Sequence, residues 1–190
     1  MTGPSGFRQT DERLVHEWGI WKLVAADFES PDGEAFDRHI VRSPGAVAVV
    51  PLLFDAEGRA SVVLVDQYRA AFDATMLELP AGMRDVEGEP PEETARRELA
   101  EETGYTAERM EHLTEYVPSP GLTDATMTIY VASDLRRVAR EAHGPEEAHM
   151  TVVHLPLDEA IRRARTGEIV NAAAVIGLLL VDAQLGPAGR

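Results

Sequence analysis

The first half of the chain alternates short apolar runs with turn sequences, a pattern typical of β-strands. "GIWKLVAADFES" and "AFDRHIVRS" flank the turn "SPDGE" at 30–34, which predicts a hairpin. "GAVAVVPLLF" (45–54) and "SVVLVDQYR" (61–69) flank "DAEGRA" and predict a second, more buried strand pair. The first dozen residues carry no comparable pattern, and we expect a polar tail there.

The second half contains most of the predicted helices. One helix is expected at about 91–103, because Pro91 suits a first helical turn and Gly104 a helix end. "TMTIYVASDL" (126–135) and "MTVVHLPL" (150–157) are predicted strands, and 157–168 and 171–185 are predicted helices. Strands early, helices late and one helix between them predict an α/β or α+β sandwich around a mixed sheet.

Composition narrows the classes of function. The 190 residues carry a formal net charge of −15, which argues against binding of a nucleic-acid backbone. A polyphosphate substrate remains compatible, because bound divalent cations reverse the local sign of charge. No apolar run reaches the ~20 residues of a membrane span. The absence of cysteine excludes thiol chemistry, and the first residues lack the apolar core of a secretory signal, so we expect a cytoplasmic protein.

The stretch "RRELAEETG" (96–104) places like charges where a helix tolerates them least. Glu98, Glu101 and Glu102 share one face at i, i+3 and i+4, and the last of them stand at the negative end of the helix dipole. A solvated acidic face is the ordinary explanation of such a cluster. The alternative is a site for a hard divalent cation such as Mg²⁺, which prefers oxygen ligands and bridges carboxylates to phosphate.

The surrounding residues favour the second explanation. "GMRDVEGEPPEETARRELAEETGY" (82–105) closely resembles the Nudix box, G-x5-E-x7-R-E-U-x-E-E-x-G-U, where U is a bulky aliphatic residue. Seven positions fall in register: Glu89, Arg97, Glu98, Leu99, Glu101, Glu102 and Gly104. Gly82 lies one residue too far from Glu89, and Tyr105 replaces the final aliphatic residue. Both departures lie outside the turn that carries the carboxylates.

Further motifs resemble the ADP-ribose pyrophosphatase branch of this family. These are "LELPAG" (77–82), "DQYR" (66–69) and "SPG" (119–121), with Pro120 fifteen residues beyond the box. Ala125 departs from the branch, which often carries Glu there. The resemblance implies an α/β/α sandwich with a mixed sheet over 45–190. It also implies a small antiparallel sheet within 1–44, exchanged between the subunits of a homodimer.

The activity implied by this resemblance is Mg²⁺-dependent cleavage of ADP-ribose to AMP and ribose 5-phosphate, with Mn²⁺ as an alternative ion. NADH or a nucleoside-diphosphate sugar is the alternative substrate. A non-catalytic Nudix-fold module that senses a ligand is the alternative from another class. The intact acidic turn argues against that module, since a protein that only binds a ligand need not tolerate repulsion among these carboxylates. Neither nucleic acid nor a membrane is expected as a partner.

The resemblance also assigns roles to residues. Glu98 and Glu102 are the first expected metal ligands, followed by Glu101 and the carbonyl of Ala81. Arg97 is expected to orient Glu98. A general base is expected on the polar loop "HGPEEAHM" (143–150), where Glu147 is chosen over Glu146.

Substrate contacts are expected from five more residues. Arg69 ends an apolar strand, where it would hold the diphosphate or form a structural ion pair. Trp21 and Arg42 would enclose the adenine ring, with a place in the core as the alternative for Trp21. Pro120 and Gly121 belong to the "SPG" motif. The six histidines show no zinc spacing and receive no role.

Overall fold

The chain forms two compact units in a computed structural model that describes residues 6–141 and 144–186. The side chains of Gly144, Pro145 and Glu147 lie outside this description. The first unit comprises the chain up to Gly45 together with Val117–Thr126. The second comprises Ala46–Tyr116 and the chain from Met127 onward. The domains predicted from the sequence, 1–44 and 45–190, stay a prediction.

The first unit contains a three-stranded antiparallel sheet of β1 (Arg8–Trp18), β2 (Trp21–Glu29) and β3 (Ala35–Arg42). The hairpin predicted around 30–34 is present as the β2–β3 connection, where the Gly33 amide donates to the Ser30 carbonyl at 2.9 Å. The prediction of a polar tail over the first dozen residues is wrong from Arg8 onward. Every residue of β1 is exposed, so the strand carries no buried alternation that a sequence pattern could reveal.

The second unit is built on a seven-stranded mixed sheet. Its main path is β10-β5-β4-β9-β8, with β6 paired to β5 and β7 paired to β4. The β4–β9 pair is parallel and its neighbours are antiparallel. The strands are β4 (Ala46–Phe54), β5 (Ala60–Arg69), β6 (Ala74–Glu78), β7 (Ala81–Met83), β8 (Tyr105–Tyr116), β9 (Met127–Arg137) and β10 (Thr151–Pro156).

Four helices accompany this sheet within the described residues. They are α1 (Pro91–Thr103), α2 (Gly144–His149), α3 (Leu157–Thr166) and α4 (Ala172–Leu185). The predicted helix at 91–103 is confirmed as α1. The polar loop predicted at 143–150 is instead mostly helix α2, because six residues are too few to show a helical hydrophobic period. None of the described helices is both long and apolar enough to cross a bilayer.

Alternate residues of β4 separate the apolar interior into two layers. Ala48, Val50 and Leu52 pack with α3 and α4, whereas Val47 and Val49 pack with Ala95 and Leu99 of α1. This alternation follows from the two-residue period of a strand. The predicted α/β/α sandwich with a mixed sheet and a separate small antiparallel sheet is therefore confirmed.

Candidate active site

Helix α1 delivers its carboxylates to a defined place because both of its ends are fixed. Pro90 caps the helix from an extended conformation, and Gly104 ends it with φ 69° and ψ 31°, in the left-handed region. The last turn carries no basic residue. Glu98, Glu101 and Glu102 therefore stand near the negative end of the dipole, as the sequence predicts.

Glu98 and Glu102 are buried against the backbone of β7. Their residues are only 8 % and 3 % exposed. The Ala81 amide donates to the Glu102 carboxylate at 2.8 Å. A Cβ atom added at Gly82 would lie 2.0 Å from Cδ of Glu98, so the missing side chain of Gly82 leaves the space that this carboxylate fills. The structure thus brings together three predicted ligand residues, Ala81, Glu98 and Glu102.

Arg97 lies at the centre of a carboxylate network. Its guanidinium donates to Glu98 at 2.7 Å and to Glu101 at 3.1 Å, and it also contacts Glu89 at 3.4 Å and Asp85 at 3.6 Å. Burial on its own lowers the pKa of Arg97, but the charges of these carboxylates outweigh burial and raise it. The contact with Glu98 is the one that an orienting role requires.

The donor set fits a hard divalent cation. It consists of carboxylate oxygens and the backbone at Ala81, without sulfur or imidazole, which is the chemistry that Mg²⁺ and Mn²⁺ accept. Among the described residues, no group of three or more Asp, Glu or His side chains is already arranged around a common metal position. The close approach of Gly82 to Glu98 and of Ala81 to Glu102 is the observation that supports the fit.

Arg69 forms a two-point ion pair with Glu78, a residue that the sequence motifs do not assign to the site. Nε and Nη2 of Arg69 donate to the two carboxylate oxygens at 2.9 and 2.8 Å. The hydrogen bond to Glu78 raises the pKa of Arg69, against the smaller opposing effect of burial. Glu78 is only 2 % exposed. The ion-pair alternative for Arg69 is therefore present, and it leaves the guanidinium partly exposed for a ligand.

Glu146 lies on α2 and lines a cavity of about 410 Å³. Asp66 and Tyr68 of β5 also line it, on the strand face opposite to that of Arg69, because strand side chains alternate. The negative charge of Glu146 nevertheless contributes to raising the pKa of Arg69. The side chain of Glu147, the predicted base, lies outside the described residues, so its role stays a prediction.

In the first unit, Arg42, Pro120 and Gly121 line one cavity of about 570 Å³. Arg42 donates to Glu12 and, at 3.1 Å, to Asp124. The hydrogen bond to Glu12 is the main cause of the raised pKa of Arg42. Three of the five predicted substrate residues are thus neighbours within this unit.

Trp21 does not join this cavity. Lys22 pairs with Arg42 across the β2–β3 ladder, so Trp21, one residue before Lys22, points to the opposite face of the sheet. Its indole stacks on Trp18, with ring centroids 6.3 Å apart. Trp21 and Arg42 of one chain therefore cannot enclose the same ring in this conformation.

The sequence-based assignment lacks the three aromatic residues of the cavity, Phe7, Phe28 and Phe36. Phe28 and Phe36 face each other across the β2–β3 hairpin, with ring centroids 5.3 Å apart and planes 17° apart. Their symmetric placement around the "SPDGE" turn is the signal that could have indicated them. An aromatic platform beside two arginines, Arg38 and Arg42, suits a flat, electron-rich ring.

Comparison with known proteins settles the family. The family model of the NUDIX domain matches residues 43–174, which is more than half of the chain. This chain belongs to the Nudix family. Since the acidic turn of the Nudix box is intact and related pyrophosphatases match over most of the chain, the protein is a Nudix hydrolase.

Individual Nudix relatives agree with this membership. The chain is 38 % identical to an ADP-ribose pyrophosphatase of Mycobacterium tuberculosis over 93 % of this chain and 84 % of the relative. It is 32 % identical to a GDP-mannose pyrophosphatase of Cronobacter sakazakii over 92 % of this chain and 93 % of the relative. A crystal structure described as an ADP compounds hydrolase shares the fold, with a TM-score of 0.84, 24 % identity and full coverage of both chains.

The Nudix helix and β7 generate a first prediction, at Gly82. We expect Gly82→Ala to displace the Glu98 carboxylate, because the new Cβ would lie 2.0 Å from Cδ of Glu98. The backbone at Gly82 lies outside the left-handed region, so alanine introduces no backbone strain there. Turnover should fall by about 10²-fold, the cost of misplacing a catalytic group by roughly 1 Å. Hydrolysis rates with varied Mg²⁺, together with circular dichroism, measure this, and unchanged rates would contradict it.

A second prediction concerns stability against pH. A hydrogen bond from Thr94, reinforced by Arg97, lowers the pKa of Glu89 below its ordinary 4.5. A lowered carboxyl pKa contributes stability that is present above pH 4.5 and is lost as the pH falls through the lowered value. The difference in unfolding free energy between the wild type and Glu89→Gln should therefore be constant above about pH 5 and shrink below 4.5. Urea titrations from pH 7 to 3 measure it. Glu87→Gln, at an exposed neighbouring carboxylate, is the matched control for the loss of one negative charge.

Proposed function

We propose that this Nudix hydrolase cleaves the diphosphate bond of ADP-ribose to give AMP and ribose 5-phosphate, with Mg²⁺ as its ion and Mn²⁺ as an alternative. The observation that carries the proposal is the burial of Glu98 and Glu102 against the backbone of Ala81 and Gly82. Two buried carboxylates beside each other are costly unless a cation compensates them. The name of the mycobacterial relative supports ADP-ribose as substrate.

In this proposal the metal is held by Glu98, Glu102 and Glu101, with the Ala81 carbonyl as a further ligand. When bound, divalent ions neutralise the diphosphate and lower the pKa of a water molecule for attack on phosphorus. Arg97 keeps the Glu98 carboxylate in place through its 2.7 Å hydrogen bond. Glu147 accepts the proton of the attacking water. Arg69, held by Glu78, directs its exposed guanidinium edge toward the diphosphate.

The alternative substrates keep the same chemistry. A GDP-mannose pyrophosphatase matches nearly the whole chain, which favours a nucleoside-diphosphate sugar as the second candidate, with NADH as a third. The non-catalytic ligand-sensing module is disfavoured by the buried carboxylate pair, because a binder without a metal would retain repulsion without benefit. We also propose that the protein acts in the cytoplasm on a small molecule, without nucleic acid or a membrane as partner.

A homodimer accompanies the proposed function. Strand β1 is exposed along all eleven residues and, among the described residues, is paired only to β2. Leu14 and Val15 are at least half exposed, and Trp18 is 42 % exposed. A long exposed edge strand that carries these apolar side chains toward its C-terminal end is a liability unless another surface covers it. We propose that a second copy covers it, with an exchanged interface beyond ~2,000 Å² in total.

The dimer also explains the separation of Trp21 from Arg42. Because the two side chains leave opposite faces of the sheet, one adenine ring touched by both must take them from two subunits. The cavity that contains Arg42, Phe28 and Phe36 then supplies one side of the adenine site. The partner subunit supplies the indole of the other side.

The metal assignment is tested by Glu102→Gln and Glu98→Gln. Each should remove most of the Mg²⁺-dependent AMP release from ADP-ribose, because one carboxylate of the ligand set is neutral. Glu102→Gln keeps an acceptor for the Ala81 amide, so its unfolding free energy in metal-free buffer should be unchanged or raised by about 0.2–0.5 kcal/mol. Glu93→Gln, in the exposed first turn of the same helix, is the matched control.

A panel of ADP-ribose, NADH and nucleoside-diphosphate sugars, assayed with these variants, also ranks the substrates. Wild-type rates in both variants would contradict the metal assignment. A wild-type protein without turnover of any member would contradict the enzymatic proposal.

The assignment of the base is tested by Glu147→Gln, with Glu146→Gln as the adjacent and equally charged control. If Glu147 is the base, its loss should lower turnover by about 10²–10⁴-fold, while binding of Mg²⁺ and ADP-ribose changes far less. If Glu147 instead binds a metal, the lost rate should partly return at high Mg²⁺. Turnover of both variants across a Mg²⁺ titration separates these cases. A defect confined to Glu146→Gln would show that Glu146 is the base.

Shared active sites are tested by mixing two inactive chains, Trp21→Ala and Arg42→Ala. In a mixed dimer with shared sites, one site combines both substitutions and the other combines none. Random mixing should therefore restore roughly a quarter of wild-type activity, since half of the dimers are mixed and half of their sites are intact. If each chain supplies both residues to its own site, mixing restores nothing. A monomeric mass at micromolar concentration with full activity would also exclude the dimer.

A further inference from the structure

Tyr105, the residue that departs from the aliphatic end of the Nudix box, makes a specific polar contact. It directly follows Gly104 and is only 4 % exposed. Its hydroxyl lies 3.0 Å from Nε2 of His154 on β10. The guanidinium of Arg137 lies over its ring, 4.8 Å from the centroid. An aliphatic side chain could fill this place in the apolar layer, but only a hydroxyl can reach β10 with a hydrogen bond.

A second set of contacts joins the same helix end to the chain after β9. The Val138 amide donates to the Gly104 carbonyl at 2.9 Å. A Cβ atom at Gly104 would lie 3.2 Å from the Val138 carbonyl oxygen and 3.5 Å from Cβ of Arg140, so this segment packs directly on the glycine. Nη1 of Arg140 in turn donates to the carbonyl of Met150 at 3.2 Å.

These contacts enclose the segment that carries the candidate base. Arg140 precedes the segment 141–149, and Met150 follows it and is buried. Arg140, just before the segment, therefore packs on Gly104. Strand β10, just after the segment, is hydrogen-bonded to Tyr105 through His154. Both anchors directly follow the last turn of α1, the helix that carries Glu98 and Glu102.

The anchors matter because α2 cannot position itself. A helix of six residues is far below the length at which an isolated helix is stable in water. Its position must then be set by its contacts with β5 and by the residues at its two ends. A fixed distance between the metal ligands and the base is what in-line attack by an activated water requires.

We propose that Tyr105 and Arg140 are positioning residues that fix the backbone on either side of helix α2, the helix that carries the proposed base, relative to the C-terminal end of the Nudix helix. The inference rests on the proposed function, because it assumes that this segment supplies the base. Tyr105 acts through His154, and Arg140 acts through Met150. Neither side chain touches the substrate.

The experiment compares Tyr105→Phe with Tyr130→Phe in the full-length protein. Tyr130 belongs to the same apolar cluster, but its ring contacts His112 rather than β10, so it controls for the loss of a hydroxyl. Tyr105→Phe should lower kcat for ADP-ribose by about 10-fold, while KM and the Mg²⁺ concentration for half-maximal rate change less than about two-fold. Amide hydrogen exchange should accelerate over 144–153 and stay unchanged in α1.

Two further variants distinguish positioning from general stability. His154→Gln retains a hydrogen-bonding side chain and should keep most of kcat, whereas His154→Phe should match Tyr105→Phe. The double variant Tyr105→Phe/His154→Phe should be no slower than either single one, because both remove the same bond. Arg140→Ala, at an exposed side chain, should repeat the kinetic pattern even if Tyr105→Phe folds poorly.

The proposal is overturned if Tyr105→Phe leaves kcat and the exchange of 144–153 at wild-type values. It is also overturned if exchange accelerates uniformly along the chain, since that outcome marks a loss of global stability. Because hydrogen exchange does not depend on turnover, it tests the positioning role separately from the proposed function. If the wild type hydrolyses no substrate of the panel, the function fails, while local exchange over 144–153 still reports whether the anchors hold the segment.

Discussion

The site depends on the burial of two carboxylates near the C-terminal end of a helix, where the helix dipole is negative. Glu98 and Glu102 are nearly inaccessible, repel each other and face the negative end of the α1 dipole. The protein meets part of this cost with two contacts, the Ala81 amide on Glu102 and the Arg97 guanidinium on Glu98. In the proposed function a divalent cation would offset the rest of this cost, so the metal affinity of the site would follow from the fold.

The same constraint reaches into the sheet. Strand β7 can approach α1 closely because Gly82 lacks a side chain, and it is held by pairing with Ala46, Val47 and Ala48 of β4. On the other side, Leu99 packs the helix onto the layer that contains Val47. The carboxylates are thus fixed by backbone pairing and by packing at the centre of the second unit. Ligands placed on such rigid elements keep their geometry better than ligands on loops.

The sequence predicts the bounds of α1 closely because the signals for this helix are local. Pro91 and Gly104 mark its ends, and its carboxylate spacing needs no tertiary information. Strand β1 and helix α2 escape prediction for a different reason: the exposed strand has no buried face, and the helix is too short for a period. Glu78 escapes because its partner Arg69 is nine residues away along the chain, and only the β5–β6 ladder brings the two together.

The charge distribution explains why such a site would depend on metal ions for its substrate. A chain of net charge −15 repels a diphosphate at long range. The three arginines that the sequence assigns to the site are each bonded to carboxylates: Arg69 to Glu78, Arg97 to Glu98 and Glu101, and Arg42 to Asp124. Their positive charge is therefore largely neutralised by these acidic side chains. Bound divalent ions can reverse the sign of the local potential, so in the proposed function the acidic groups that repel the free substrate would also recruit the ions that hold it.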